Sequence, residues 1–419
     1  MSHKTRSIYN ARLMYLGVAL GAGGVAFYVP LMLSQVGQHF SGVWAASILF
    51  ATNLGRTLGS HFGSRHPFFT ERPAAIVSTI LLEGVALFSM AFLHEPWAFA
   101  TVALAAGLGS GLSFPGLKNY LLKLKDLDSA RLFAGLSMAI RLGMLFGYLS
   151  GALVTASHMT AVFTAILVMF IGYATFMRLA IGDILANPPP EPQAPQAAVS
   201  TSAATAPVTT AVETSLPALS SLLLSNVVFW FLTIQPTVAL TLYVPRFVPG
   251  MSVSTTFWIS SLTVLLLQMR VTRRAKSADR HLGFLLFGYA SLLASFAVMA
   301  VAGSHAWLVM SAAVLLALGQ IFYVPSFDVI VSGYAKAHSM KTGPMMARQH
   351  FYQNIGVMCG SLVAGALFDL GIHWRMPALN WCVLAVLAAG MLLLLMMDAR
   401  RRTAFDNGVC ISTIDGEVP

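Results

Sequence analysis

Asn187 to Ser215 reads NPPPEPQAPQAAVSTSAATAPVTTAVETS. The stretch is built from Pro, Ala, Ser and Thr and holds no aromatic residue. Such a segment buries too little apolar surface to offset the entropy of ordering it, so it reads as a flexible connector. The chain on its two sides is similar. Tyr28-Val29-Pro30 closes the first oily run before it, and Tyr243-Val244-Pro245 closes the first oily run after it. Gly109 and Pro115 recur as Gly319 and Pro325, and Gly143 and Gly147 recur as Gly356 and Gly360. The offsets are nearly constant, at 215, 210 and 213 residues. Three ordered coincidences at one period imply a duplicated unit. The organisation expected is an N-terminal six-helix bundle (1–183), a linker (184–216), a C-terminal six-helix bundle (217–403) and a tail (404–419).

The solvent of the two halves follows from composition. The chain has 419 residues, 57% of them hydrophobic and 10% charged, with a mean hydropathy of +0.74. Soluble domains carry roughly 25% charged residues, so this is an integral membrane protein, and because backbone groups in lipid must bond internally its spans are read as helices, an all-α fold. The net charge of +10 does not indicate nucleic acid, because Lys and Arg stand in short clusters between oily runs and form no basic face. Cys359, Cys382 and Cys410 have neither disulfide nor metal spacing. The N-terminal apolar run, from Leu13 to about Ser34, is too long for a signal peptide and reads as a first span.

Twelve spans are expected, at 13–34, 43–63, 73–93, 97–117, 132–154, 159–181, 219–243, 253–269, 282–302, 306–328, 346–368 and 376–397. Each is about the length a helix needs to cross a bilayer. Pro30, Pro96, Pro245 and Pro377 punctuate span ends. With both termini inside, all but Arg141, Arg246 and Arg375 of the 25 Lys and Arg fall on the inner side. Both termini and the linker are therefore expected in the cytoplasm, in a bacterial inner membrane.

Twelve spans in two similar halves, joined by a cytoplasmic linker, resemble the major facilitator superfamily. Four stretches sharpen the resemblance: His94-Glu95-Pro96-Trp97 with Gly107-Leu108-Gly109 and Pro115; Arg131-Leu132-Phe133 with Gly143, Gly147 and Gly151; Val324-Pro325; and Gly365-Ala366-Leu367-Phe368-Asp369-Leu370-Gly371. Together they look like multidrug-resistance exporters of the drug:proton antiporter branch. The match departs in places. Gly63 and Arg65 keep part of the family's loop between spans two and three, but Ser60 stands at its acidic position and Arg56 at its first Gly. Tyr148 follows Gly147 where such exporters usually carry Pro.

Glu83 is the acid nearest mid-span in the N-terminal half, about ten residues or 15 Å from the inner edge. An ionisable group at that depth points to function, with burial favouring its neutral form and a nearby cation its charged form. Arg141, at similar depth, is expected to pair with it or to hold an anionic part of the cargo. Glu83 and Arg141 are thus the candidates for proton coupling. Gly143, Gly147, Gly151, Gly356, Gly360 and Gly365 let helices approach closely; the resemblance puts them near the interface of the halves. In span eleven, Gln349 and Gln353 share one side and His350 and Asn354 another. Tyr28, Gln235, Tyr243, Gln320, Tyr323, His350, Gln353 and Asn354 are the candidates for a substrate cavity. Lys118 and Asp328, each three residues after an equivalent proline, are candidates for an inner gate. His61 and His66 read as interfacial, in a short basic loop. No metal constellation, no catalytic triad and no Walker loop are present, so neither an enzyme, a cofactor nor direct ATP coupling is expected.

The function expected is a secondary transporter, a proton-coupled exporter of small amphipathic compounds such as a drug, siderophore or metabolite. An uptake symporter is the alternative, and a non-transporting sensor or scaffold the next. The partners expected are membrane lipid, a small-molecule substrate and protons, with no nucleic acid and a functional monomer.

Overall fold

The computed structural model describes residues 3–124, 127, 129–153, 159–187, 218–274, 280–337 and 342–414. The linker from 188 to 217 lies outside them. Among the described residues every regular element is helical. The N-terminal half holds α1 (His3–His39), α2 (Gly42–Arg65), the short α3 (Pro67–Glu71), α4 (Pro73–Ser89), α5 (Pro96–Leu122), α6 (Ser129–Leu153) and α7 (Met159–Ala186). The C-terminal half holds α8 (Leu219–Phe247), α9 (Val253–Arg274), α10 (Arg280–Ala302), α11 (Ala306–Ala337), α12 (Thr342–His373) and α13 (Leu379–Ile414). Without α3, twelve long helices remain, as the sequence led us to expect.

Among the described residues, nine of the twelve are long and apolar enough, by length and composition, to cross a membrane. The other three are α2, α6 and α9, and the apolar part of α9, Val253–Gln268, is shorter than a span. They carry groups such as Asn53, Arg56, Arg141 and Thr256, and they are helices through which the halves meet: α2 lies against α12, and α6 against α9. An even number of crossings returns both termini and the linker to one end of the bundle, here called the linker end.

Local chemistry explains the boundaries. Pro67, Pro73 and Pro96 open α3, α4 and α5, where a missing N–H costs nothing. Ser41 caps α2, its side chain accepting from the Trp44 N–H at 3.3 Å. Two expectations change. Pro30 does not end its span, because α1 runs through it to His39; packed neighbours let membrane helices carry an internal proline. His61 lies inside α2 rather than in a loop. The helices also overrun the expected limits of linker and tail: α7 continues to Ala186 and α13 to Ile414.

The duplication is visible in the packing. A Cβ on Gly143 would stand 2.1 Å from the Ala19 carbonyl oxygen, and one on Gly147 2.2 Å from that of Gly23, so α6 rests on the backbone of α1. The same relation recurs where a Cβ on Gly356 would stand 2.2 Å from the Val227 carbonyl oxygen and one on Gly360 2.7 Å from that of Phe231, seating α12 on α8. These four glycines pack inside each half. The expected contact between halves falls to the last glycine of each row: a Cβ on Gly151 would stand 3.0 Å from Ser254 Oγ, and one on Gly365 2.1 Å from the Gly42 carbonyl oxygen. First and last helices of each half are tied by a carboxylate. Asn10 Nδ2 donates to Asp183 at 2.7 Å, and the Ala218 N–H donates to Asp398 at 2.8 Å.

At the end opposite the linker the halves are fastened by charge. Asp369, near the end of α12, accepts from the Gly42 and Val43 N–H groups at the start of α2, at 3.0 and 3.1 Å. Arg246, at the end of α8, donates to the Gly37 carbonyl in the last turn of α1 at 3.2 Å and lies over the Phe368 ring at 5.4 Å. An anion thus meets a helix N-terminus and a cation a helix C-terminus, both as the helix dipole favours.

Candidate functional site

The N-terminal half is hollow at its centre. A cavity of about 460 Å³ is walled by α1, α2, α4, α5, α6 and α7, with Ile234 and Thr237 of α8 on its remaining side. That volume suits a drug-sized ligand. Its wall is mostly apolar, with residues such as Val25, Leu49, Ile140 and Phe170. Among the residues that line it, Arg56 and Glu83 carry formal charge, and Asn53, Ser60, Ser110 and Tyr148 add polar groups.

A narrow strip of α5 brings the two charges together. Gly107 and Gly111 face α2 so closely that a Cβ would stand 2.1 Å from the Thr52 carbonyl oxygen or 2.3 Å from that of Arg56. Gly109 faces the other way, where a Cβ would lie 2.7 Å from the Thr79 carbonyl oxygen and 3.0 Å from the Glu83 nitrogen. The sequence Gly107-Leu108-Gly109-Ser110-Gly111 is therefore a thin wedge with α2 on one side and α4 on the other. Arg56 lies nine residues before the end of α2, and Glu83 ten after the start of α4. At about 1.5 Å per residue both sit roughly 14–15 Å in from the linker end.

Glu83 is buried, with 6% of its surface exposed. Ser110 stands beside it, and the cation acting on it is Arg56. Glu83 forms an ion pair with neither Arg141 nor Arg56 among the described residues; Arg56, on α2 across the wedge from α4, is the cation whose charge reaches it. Arg141 instead acts on Tyr148, which also feels Arg56. Tyr28 and Tyr173 stand in the field of Glu83 from α1 and α7. The Arg56 Nε is buried and has no hydrogen-bond partner among the described residues. Sequence reasoning counted Arg56 among the inner-rim charges, although it falls seven residues inside the expected second span. Its position in that span was the available signal.

The other candidates separate. Tyr28 is buried against Phe163, with ring centroids 6.0 Å apart. Tyr243 donates to the Gly303 carbonyl at 2.9 Å, and Tyr323 stacks on Phe229 at 3.6 Å while its hydroxyl meets Ser225 at 3.1 Å. Both tyrosines are core residues of the C-terminal half and line no part of this cavity. Gln235 is fully buried, with neither amide atom hydrogen-bonded among the described residues. Gln320, Gln353 and Asn354 are partly buried in α11 and α12, outside this cavity wall. The side chain of His350 lies outside the described residues. Gln349 is an interhelical tie: its Nε2 donates to Asp328 and its backbone carbonyl accepts from Asn226 Nδ2 at 3.0 Å. Lys118 lies over the Phe114 ring of its own helix at 4.6 Å. In this conformation the two gate candidates are thus engaged within their own halves.

Comparison with known proteins agrees with this architecture. Residues 11–348 match the family model described as Major Facilitator Superfamily. The chain belongs to the Major Facilitator Superfamily. It is 21% identical over 413 residues to an uncharacterized MFS-type transporter, YttB, of Bacillus subtilis (strain 168), covering 94% of this chain and 96% of that one. Among solved structures it is similar to the POT family transporter PepTSo, with a TM-score of 0.69 at 15% identity, covering 95% of this chain and 98% of the other. It is also similar to the nucleoside transporter NupG, with a TM-score of 0.66 at 11% identity, covering 95% and 99%. At such identities the two structures speak for the fold. As a member of this superfamily the chain is a multi-pass membrane transporter rather than an enzyme, and it moves a small molecule through a lipid environment.

Proposed function

We propose that this transporter couples the proton gradient to the export of small amphipathic compounds by alternating access, with Glu83 as the group that takes up and releases the proton. One observation carries the reading: a carboxyl group at membrane depth lines a cavity of ligand size together with a guanidinium whose charge acts on it. The apolar wall supplies affinity for an amphipathic body, and the few polar groups supply orientation. Orientation follows from the positive-inside pattern, which puts the linker and both termini in the cytoplasm. The fastening by Asp369 and Arg246 then lies outside, and the conformation described is the inward-facing one. Lys118 and Asp328 serve as inner gate residues that meet when the halves rock to the other state. The proposed unit is a monomer in a bacterial inner membrane.

Export rests on the resemblance of the fifth and eleventh spans to drug:proton exporters. Uptake is the second reading, favoured by the similarity to PepTSo and to NupG. Inside-out and right-side-out vesicles discriminate, tested with a panel of cationic, neutral and anionic amphipathic dyes. Export predicts loading of inside-out vesicles that a protonophore abolishes. Protonophore-sensitive loading of right-side-out vesicles would replace export by uptake, and gradient-independent flux of every dye would refute proton coupling.

A further inference from the structure

We propose that Arg56 recognises an anionic group on the substrate, so that the cargo class is small amphipathic acids carrying one carboxylate or similar oxyanion. The proposal rests on the reading of this cavity as the transport site and deepens it.

Charge balance is the first argument. Among the residues that line the cavity, Arg56 and Glu83 carry formal charge. Arginine keeps its charge at any ordinary pH, so the lining is balanced when Glu83 is ionised and carries one uncompensated positive charge when it is protonated. Unbalanced charge in a membrane interior is expensive, and a ligand that brings the counter-charge is favoured there.

Geometry is the second. Arg56 is at mid-depth and lines the cavity. Its Nε is closed off and has no partner among the described residues, so it is the outer nitrogens of the guanidinium that can be offered to the cavity. They form part of the planar fork that matches an oxyanion. The backbone of Arg56 is clamped by Gly107 and Gly111, so the head group is presented from a fixed position. Around it the wall turns apolar through Phe114, Ile140, Met144 and Phe170, which suits a hydrophobic body and not an inorganic ion. A cationic amphiphile would face Arg56 with like charge, which disfavours it.

Three probes of one shape and different charge test this: 1-naphthoate, 1-naphthamide and 1-naphthylmethylammonium. Binding to the purified full-length protein in neutral detergent, without any gradient, is followed by thermal stabilisation. Wild type is expected to bind naphthoate at least about tenfold more tightly than the amide, and the ammonium most weakly. Arg56→Gln should bring naphthoate to within about twofold of the amide, and an unliganded melting transition close to that of wild type reports that the variant is folded. Equal binding of the three probes, or preference for the ammonium, overturns the proposal in the wild-type protein alone, whatever the variant does. Retained naphthoate preference in Arg56→Gln overturns the assignment to Arg56. Because binding is read without a proton gradient, these outcomes are separate from a failure of proton-coupled transport in vesicles.

Discussion

Removing the charge at Asp369 should open the end of the molecule opposite the linker. This carboxylate accepts from two backbone N–H groups at the first turn of α2, at 3.0 and 3.1 Å, and it does so across the boundary between the halves. The contact exists only while that end is closed, so its whole free energy biases the conformational equilibrium. A carboxylate at a helix N-terminus contributes about 0.3–1 kcal/mol when exposed and up to about 2 kcal/mol when partly buried. Asp369 is of the second kind, being partly buried. Asp369→Asn keeps the shape and one acceptor but loses the charge, about 1 kcal/mol, or roughly fivefold in the ratio of the two states. Asp369→Ala also loses the cap, for about 2 kcal/mol in all, or roughly thirtyfold. Spin labels at Phe40→Cys and Trp374→Cys, both exposed near that end and one on each half, report the opening by pulsed dipolar spectroscopy. The background has Cys359, Cys382 and Cys410 replaced by Ser. A longer distance should gain population in the order wild type, Asn, Ala. Identical distance distributions in all three would refute the latch and leave Asp369 as an ordinary cap.

Four further outcomes follow. Gly111→Ala should destabilise the protein by about 1–3 kcal/mol, because its methyl would stand 2.3 Å from a backbone oxygen of α2; Gly390→Ala, with nothing within 4 Å, should leave the melting temperature unchanged or slightly raised. Glu83→Gln should preserve folding and remove the pH dependence of transport, and a pH profile like that of wild type would refute its coupling role. Replacing residues 187–215 by Gly/Ser of equal length should leave transport near the wild-type rate, whereas a large loss at normal expression would mean that the segment docks or signals. Lys118→Asp and Asp328→Lys should each increase cysteine labelling of the linker-end mouth and the double reversal restore it; labelling of the double variant equal to the sum of the single effects would show that the two residues are not partners.

The fold was legible because its determinants repeat. Twelve oily runs and one period of about 213 residues are properties of the chain that need no tertiary knowledge, and the glycine pairs expected from the repeat do the same job in both halves. What composition hid was the character of α2, which is not apolar enough to qualify as a span. It is polar because it sits between the halves and beside the cavity, where lipid does not touch it on every side. The prolines misled for a related reason. In water an internal proline ends or kinks a helix, but in a packed membrane bundle neighbours re-satisfy the freed carbonyl and the helix continues.

The site was half legible, and the missing half was Arg56. Glu83 announced itself as an acid in the middle of an oily span. Arg56 did not, because it lies near His61, Arg65 and His66 and was absorbed into their basic cluster. Linear distance from the cluster was the wrong measure. Depth along the helix was the right one: nine residues of α2 carry Arg56 well inside the bundle, to the level Glu83 reaches from the other direction along α4. Depth alone does not show that the two line one cavity. That depends on which side of α5 each helix lies against, and the alternation of Gly107, Gly109 and Gly111 between α2 and α4 decides it. Read as a motif, those glycines marked a family; read as surfaces, they set an arginine and a carboxylate in the wall of one cavity. The tyrosines erred in the opposite direction. Tyr243 and Tyr323 are polar groups in oily helices, yet each satisfies its hydroxyl inside the C-terminal half, on Gly303 and Ser225. A hydroxyl finds a partner within a packed half easily. A guanidinium with five donors does not, so among the polar residues of these spans the arginine was the stronger pointer to a ligand.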